Sequence, residues 1–414
     1  MKRFFLLWVF AVLMGFSLCA QDTLTVMQYN LLEYGNYQSG FAECYETNNN
    51  TQRKDECIRT LMDYVKPDIL TVCEFGATQT LLENFARHNL PDYWKSDNII
   101  NYAHSNIINH IFYDSRKMEL GKHIALRTGP RDTDIYELYM KTTSLAAGDT
   151  IKLVCIVAHP KAGMNYQAER RALMQVAMDY VNLHYVNENV LIMGDFNMYR
   201  ASETGYQLLT RNYSNPNVLF VDPLANVGGV GEWNNNIQFA PFHTQSTRRY
   251  SDECFSSGGL DDRFDFILMS DEIYMGFNRI RYVNNSFYAV GNDGQHFDQS
   301  VDQNGNNAVP PEVAEALFDG SDHLPVTMKM AVFAHLDVAE QMLGGFSIVP
   351  NPADRFITIE MPDVAESPTE YRIANLLGQT VLTGHNSHNI DVSALPAGIY
   401  FISINGAVRK FIKN

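Results

Sequence analysis

Beyond residue 20 the chain has no apolar run long enough to cross a bilayer as a helix, so no membrane-spanning helix is expected in its body. Basic residues are scarce: 31 Lys and Arg stand against 47 Asp and Glu, a formal net charge of −16. A protein that coats nucleic acid by broad phosphate neutralisation carries the opposite balance, and that class is excluded. An enzyme that grips a few phosphates through bound cations is not. Long low-complexity tracts are also missing, and 46% apolar with 19% charged residues suits a folded protein rather than a disordered one. Cysteine is sparse, with six in 414 residues, too few for a disulfide-built scaffold.

What is present begins with an export pattern. Lys2 and Arg3 precede the apolar run FFLLWVFAVLMGF, and the small residues of SLCA follow. That order predicts a signal peptide over residues 1–20, cleaved after Ala20, and its loss makes the mature chain two units more negative. Bulky Leu18 before Cys19 disfavours a lipid anchor. The mature protein is expected to be secreted or held at the cell surface, with no transmembrane segment. Five cysteines remain: Cys44, Cys57, Cys73, Cys155 and Cys254. Cys44 and Cys57 bracket a polar stretch and are the expected bridge, while Cys73 and Cys155 sit in apolar strand-like runs and read as buried thiols.

The length allows two or three domains. Residues 21–335 read as one large α/β domain. DTLTVMQYNLL, DILTVCEF, TIKLVCIVAHP, VLIMGDF, FDFILMS and VTMKMAVF are strand-like. TQRKDECIRTLMDYV and YQAERRALMQVAMDYVNLH have helical spacing, with Ala172, Leu173, Val176, Ala177, Tyr180 and Val181 as the second one's apolar stripe. This mixture predicts a two-layer β-sandwich flanked by helices. Residues 225–262 and 291–311 read as loops. After a linker at 336–345, residues 346–414 change to short strands separated by turns, the pattern of a small all-β sandwich.

Polar residues recur where the large domain's strands end. Asn30 closes VMQYN, Glu74 closes DILTVCE, His159 closes KLVCIVAH, and Asp195 and Asn197 close VLIMGDFN. Asp322 and His323 stand together in GSDHLPV just before the last strand. Singly, each has a plain reading: a turn former, a solvated edge, a structural imidazole. Together they supply carboxylates and amides for a hard divalent cation. They also supply imidazoles for proton transfer and donors for developing charge. That inventory suits hydrolysis of a phosphate ester.

With QYNLL, PDILTVCE, IVAHPK, GDFN, DRFDFIL and GSDHLPV in this order, the chain resembles the endonuclease/exonuclease/phosphatase superfamily over about residues 24–333. The superfamily includes pancreatic deoxyribonuclease, abasic-site endonucleases, bacterial sphingomyelinases and inositol polyphosphate phosphatases. The resemblance implies a four-layer α/β/β/α sandwich and a divalent cation, Mg2+ with Mn2+ or Ca2+ as alternatives. It makes Glu74 a metal ligand assisted by Asn30, with Asp322 at or beside the metal. Asp195 would orient or deprotonate the attacking water and Asn197 would donate to the phosphate. His323 would contact the phosphate or act as base, its imidazole held by Asp265 of DRFDF. His159 would be a second acid/base. Nucleases of this kind orient that histidine with a carboxylate on an earlier strand; SNIINHIFYD offers none there, and Asn109 is the residue that would substitute. FHTQSTRR adds His243, Thr244 and Arg248, the last a candidate phosphate contact.

The tail resembles a second family. FSIVPNPADRFITI, NLLGQTV, IDVSALPAGIYFISI and the final KFIK look like the C-terminal sorting domain of the type IX secretion system, which implies that secretion machinery as a partner. The combined expectation is a secreted, metal-dependent phosphodiesterase, foremost a nuclease with nucleic acid as substrate. The alternatives are a sphingomyelinase-like or sugar-phosphate enzyme of the same superfamily, and a surface protein that binds without catalysis.

Overall fold

The computed structural model describes residues 21–37, 44–142, 145, 149–214, 216–251, 254–333, 347–360, 371–376, 379–385, 389–404 and 407–414. The expected signal peptide (1–20) and linker (336–345) lie outside the described residues.

Two mixed sheets make the large domain. The first contains β1 (Gln21–Tyr34), β2 (Ile69–Gly76), β3 (Trp94–Lys95), β4 (Ile107–Asp114), β11 (Ile280–Tyr282), β12 (Tyr288–Ala289) and β13 (Val326–Phe333). Its order is β11-β13-β1-β2-β4-β3, with β12 also on β13. The second contains β5 (Met118–Arg127), β6 (Asp132–Met140), β7 (Lys152–Val157), β8 (Asn189–Asp195), β9 (Phe220–Val221) and β10 (Asp265–Ser270), in the order β5-β6-β7-β8-β10-β9. Each sheet has one parallel pair at its centre, β1 with β2 and β7 with β8; the other pairings are antiparallel. A parallel pair needs a crossover. Helix α1 (Thr51–Val65) supplies it in the first sheet and α3 (Gln167–His184) in the second. The Asn50 side chain caps α1 at the Arg53 amide, and Lys66 ends it in a left-handed conformation just before Pro67. The remaining helices are α2 (Gln79–Asn89), α4 (Thr204–Thr210), α5 (Asp271–Met275) and α6 (Pro311–Gly320).

The layers follow from alternation along buried strands. On β8, Leu191 and Met193 join Val26, Val72 and Ile111 of the first sheet in the central core. Val190 and Ile192 face the other way, into a second cluster with Leu173, Met174 and Ala177 of α3 and Leu208 of α4. Helices α1, α2 and α6 cover the first sheet through Ile58, Phe85 and Leu317. The result is the expected four-layer α/β/β/α sandwich.

Residues 347–414 form the expected small all-β domain. One sheet orders β14 (Ser347–Val349), β15 (Phe356–Glu360) and β18 (Asn389–Asp391). The other orders β17 (Thr380–Gly384), β16 (Tyr371–Asn375), β19 (Gly398–Ile404) and β20 (Ala407–Lys413). Ile357, Ile373, Ile402 and Phe411 fill the space between them. No helix among the described residues is long and apolar enough to cross a membrane.

The disulfide expectation is corrected. Cys44 bonds Cys254 across 210 residues, while Cys57 is a free, buried thiol. Cys57 lies on the inward face of α1, in the central core, whereas Cys44 sits in a separate small cluster with Cys254, Leu32 and Phe255. Cys73 and Cys155 are buried thiols, as expected.

Candidate active site

The two parallel pairs end at the same edge of the sandwich, and that edge collects the polar residues. Asn30 is near the end of β1, Glu74 near the end of β2, His159 two residues beyond β7, and Asp195 the last residue of β8. The antiparallel neighbours run back into the same edge. Asp265 opens β10 directly opposite Asp195 in the ladder, and His323 stands three residues before β13.

Asn30 ties the two sheets together. Its Nδ2 donates to Glu74 Oε1 and to Asp195 Oδ2, each at 3.0 Å, and its Oδ1 accepts from the Leu32 amide at 2.9 Å. In this orientation Asn30 aligns two carboxylates instead of presenting an oxygen as a ligand. His159 Nε2 lies 3.4 Å from Asp195 Oδ2 and 3.7 Å from Glu74 Oε1. One ligand atom from each of Glu74, His159 and Asp195 falls within 4.8 Å of the others. Two carboxylates and an imidazole so close together are a donor set that fits a divalent cation.

Asp322 is placed apart from that group. Its Oδ2 accepts from Gln245 Nε2 at 3.2 Å and from the Ser256 amide at 3.1 Å. Its neighbour His323 is placed centrally. Nδ1 lies 2.7 Å from Asp265 Oδ2, and Nε2 lies 3.7 Å from Asp195 Oδ2 and 2.7 Å from Gln245 Nε2. Burial pulls the His323 pKa down, but Asp265 and Asp195 overcome it and hold the imidazole charged well above its usual range. Burial pushes Asp195 up, yet His323, His159 and the Asn197 amide bring it down to about 2. Asp265, enclosed, is raised.

Asn197 donates its amide to Asp195 Oδ1 at 3.0 Å and its Nδ2 to Pro160 O at 3.3 Å. Both Asn197 and Glu74 adopt positive φ, 51° and 55°. Non-glycine residues accept that strain where the surroundings over-determine it, which is frequent at functional sites. Gly194 is required for a different reason: a Cβ there would sit 1.9 Å from Ala158 O, because β8 passes directly against the chain leading to His159.

The expected substitute for a histidine-orienting acid is not hydrogen-bonded to His159. Asn109 Nδ2 donates to Asp132 O at 2.9 Å, while Asn109 Oδ1 and His159 Nδ1 are both buried without a partner. Arg248 is stacked on Phe255 and Phe318, with Cζ 3.5 and 4.4 Å from the ring centroids, and its Nε donates to Phe318 O. Its Nη2 lies 3.9 Å from Asp319 Oδ1, so these contacts turn it toward α6. His243 is enclosed between the carbonyls of Leu260 and Trp233, a structural role. Thr244 Oγ1 accepts from the Asp265 amide at 3.2 Å and so helps position the Asp265–His323 pair.

Several neighbours were not singled out by sequence reasoning. Gln245 Nε2 donates to Asp322 Oδ2 and packs against His323 Nε2; Gln245 stands inside FHTQSTRR, next to two residues that were. Ser321 Oγ donates to Asn30 O at 2.7 Å and accepts from the His323 amide, joining β1 to the SDH turn. Glu33 donates its amide to Glu74 Oε2, and its own carboxyl is pushed up to about 7 by burial and by Glu74. Lys54, fully enclosed on α1, donates from Nζ to the carbonyls of Leu31 and Leu32 at 2.6 Å each. A lone lysine in a helical polar face carried no signal that it would turn inward.

Residues 27–323 match the Endonuclease/Exonuclease/phosphatase family, and residues 347–414 match the secretion system C-terminal sorting domain. No protein of curated function matches the chain. Three solved structures illustrate the likeness. TDP2 from D. rerio, complexed with single strand DNA product, is 12% identical with a TM-score of 0.47, over 75% of this chain and 99% of that one. An endonuclease/exonuclease/phosphatase family protein from Bacteroides thetaiotaomicron is 14% identical with a TM-score of 0.46, over 75% and 98%. The human Nocturnin catalytic domain with bound sulfate anion is 14% identical with a TM-score of 0.44, over 75% and 97%.

Proposed function

The chain belongs to the endonuclease/exonuclease/phosphatase family, and on that premise we propose that it is a secreted, divalent-metal-dependent phosphodiesterase, foremost a nuclease acting on extracellular DNA or RNA. One observation carries the reading: Asn30 bridges Glu74 and Asp195 from different sheets at 3.0 Å each, beside the charged His323–Asp265 pair. The sorting tail supports a secreted or cell-surface location and implies passage through the type IX machinery.

Glu74 and Asp195 would supply carboxylate oxygens to the cation, Mg2+ foremost, and His159, the second acid/base, would stand beside it. The cation would supply positive charge to a phosphoryl group and acidify water. Asp195 stays ionised across the neutral range, so it accepts a hydrogen bond from the attacking water and orients it in line. With its pKa near 2 it is a weak base, and alignment is its larger contribution. His323 is charged at rest, which favours the phosphate-contact role over that of general base: Nε2 donates to a non-bridging oxygen as negative charge develops. Asn197 gives up its long contact with Pro160 O to donate to the same group. Asp265 keeps the imidazole oriented and charged.

Among the alternatives, a sphingomyelinase-like enzyme needs an apolar surface for lipid docking. In the loop stretch EWNNNIQFAPF, Trp233 and Ala240 are buried, while Ile237 and Pro241 are exposed and Phe239 and Phe242 half-buried, so it offers only a small apolar surface and the lipid substrate is tested beside the nucleic acids. A pure binding protein has no need of a charged imidazole beside a water-orienting carboxylate. The test is hydrolysis of bis-(p-nitrophenyl) phosphate with added Mg2+, then of plasmid DNA, RNA and sphingomyelin in parallel. A folded Asp195→Ala variant that retained wild-type turnover would refute the mechanism.

A further inference from the structure

The small domain's core uses only one face of its last hairpin. Strands β19 and β20 pair antiparallel, with Ile399 opposite Ile412, Tyr400 opposite Phe411 and Phe401 opposite Lys410. Tyr400, Ile402 and Phe411 enter the small domain's core. Alternation therefore leaves Ile399, Phe401, Ile412 and Lys410 on the opposite face. The outer face of a sandwich sheet is ordinarily polar and solvated. At its Ile399–Phe401 end it is apolar at three of four positions, and Ile399 and Phe401 are only 7% and 9% exposed.

The large domain is what covers them. Ile399 and Phe401 belong to the apolar cluster built on Val190, Ile192 and Phe266, with Met275, Phe277 and Ile412 at its margin. At the same place Lys410 Nζ lies 2.9 Å from Asp271 Oδ2 and 3.9 Å from Glu272 Oε1. These acids open α5, and both are 4% exposed. Adjacent carboxylates so enclosed are costly without a counter-charge, and Lys410 is the cation beside them. Burial and Asp271 push the Glu272 carboxyl up to about 8, and Lys410 counters them.

We propose that α5 and the residues after it are a docking seat for the chain's own sorting tail: the outer face of β19–β20 rests on the apolar margin at Met275 and Phe277, and Lys410 closes over Asp271 and Glu272. The seat lies away from the candidate active site. Strand β10 begins in that site at Asp265 and ends six residues later at α5, a run of roughly 20 Å at the usual rise per residue. Docking thus leaves the catalytic edge open, and loss of the tail uncovers an acidic, partly apolar surface on the large domain.

The test uses the full chain. Hydrogen exchange is followed in residues 271–277 and 398–404 for wild type, Lys410→Glu, the charge swap Lys410→Glu/Asp271→Lys, and Phe401→Ser. Phe401 lies outside the small domain's own core, so that domain should still fold, which protection at 371–375 verifies. Lys410→Glu and Phe401→Ser are each expected to raise exchange at 271–277 on the order of tenfold. The charge swap should restore most of the protection, and diester hydrolysis should stay at the wild-type level throughout. Unchanged exchange at 271–277 in both single variants would overturn the proposal. So would a Lys410→Glu effect that the charge swap leaves uncorrected.

Discussion

Asp265 Oδ2 and His323 Nδ1 meet at 2.7 Å, although 58 residues separate them in sequence. The pair exists because β10 starts directly opposite the end of β8 and the SDH turn delivers His323 to the same edge. Its chemical effect is a charged imidazole in an enclosed site. A histidine pKa raised by folding contributes stability that is complete below its unfolded value. That contribution is lost as pH rises through the higher folded value. The first prediction is therefore an alkaline limb in both stability and turnover. Asp265→Asn should move the turnover limb toward lower pH and reduce kcat by on the order of 100-fold. A pH–rate profile of the two proteins decides it; an unmoved limb would assign the ionisation elsewhere.

Asn30 gives a second prediction. It touches the carboxylates that would hold the cation without presenting an oxygen to it. Loss of such a supporting residue typically costs about 10–100-fold in metal affinity, and Asn30→Ala should weaken Mn2+ binding by that amount. Glu74→Ala should cost more, and chelation should abolish turnover. Calorimetric titration of Mn2+ reads affinity directly, independent of activity. Equal losses in the two variants would place Asn30 among the ligands themselves.

Gly194 gives a third. An added methyl group would meet Ala158 O at 1.9 Å, and φ is 146°. Gly194→Ala should cost about 2–5 kcal/mol, combining overpacking with backbone strain. Urea denaturation measures it, and a loss below about 0.5 kcal/mol would mean that the two strands part easily.

Which features could be read in advance follows from how local their cause is. Asn30, Glu74 and Asp195 follow short apolar runs, a signal contained in a few residues, whereas Asp265 opens β10 and was named only through the resemblance. The face of α3 was only half legible. Leu173, Ala177 and Val181 are buried as the periodicity predicts, but Val176 is 40% exposed, and Met174 and Met178 take the inner side. A broad stripe leaves its own rotation undetermined until the sheet is placed against it. The Cys44–Cys254 bond was illegible because proximity in space, not along the chain, selected the partner. Gln245 and Lys54 were hidden for a similar reason: a buried polar side chain is recognised by its partners, here His323 and the Leu31 and Leu32 carbonyls.

The cysteines make a fourth prediction. Cys44 and Cys254 join two loops beside the β1 end, sharing a small cluster with Leu32 and Phe255. Removing a long-range native bridge typically costs about 2–5 kcal/mol. Cys44→Ser/Cys254→Ser should lower stability by that amount. Cys57→Ser should leave the bridge intact, and Cys57, Cys73 and Cys155 should react with thiol reagents only on unfolding. Thiol titration in native and denatured states checks this. A fast-reacting thiol in the native protein would contradict the pairing.

Arg170 and Glu203 separate positioning from stability. Both side chains are fully enclosed, joined by two bonds of 3.0 Å. Arg170 Nη1 also holds Lys161 O at 3.0 Å and Gly163 O at 2.7 Å, and Glu203 Oε1 accepts the Tyr199 amide at 2.9 Å. The pair thus clamps the loop after His159 to the loop after Asn197. Arg170→Met alone strands a buried carboxylate and should cost about 3–5 kcal/mol. Arg170→Met/Glu203→Leu removes both charges and fills the space with apolar groups, which should recover most of that loss. Turnover should not recover with it. Without the three backbone contacts the two loops can drift, and a displacement of about 1 Å near reacting groups can cost on the order of 100-fold. Denaturation and kcat measured on the same double variant therefore separate the two roles. Recovery of kcat in step with stability would reduce the clamp to a fold element.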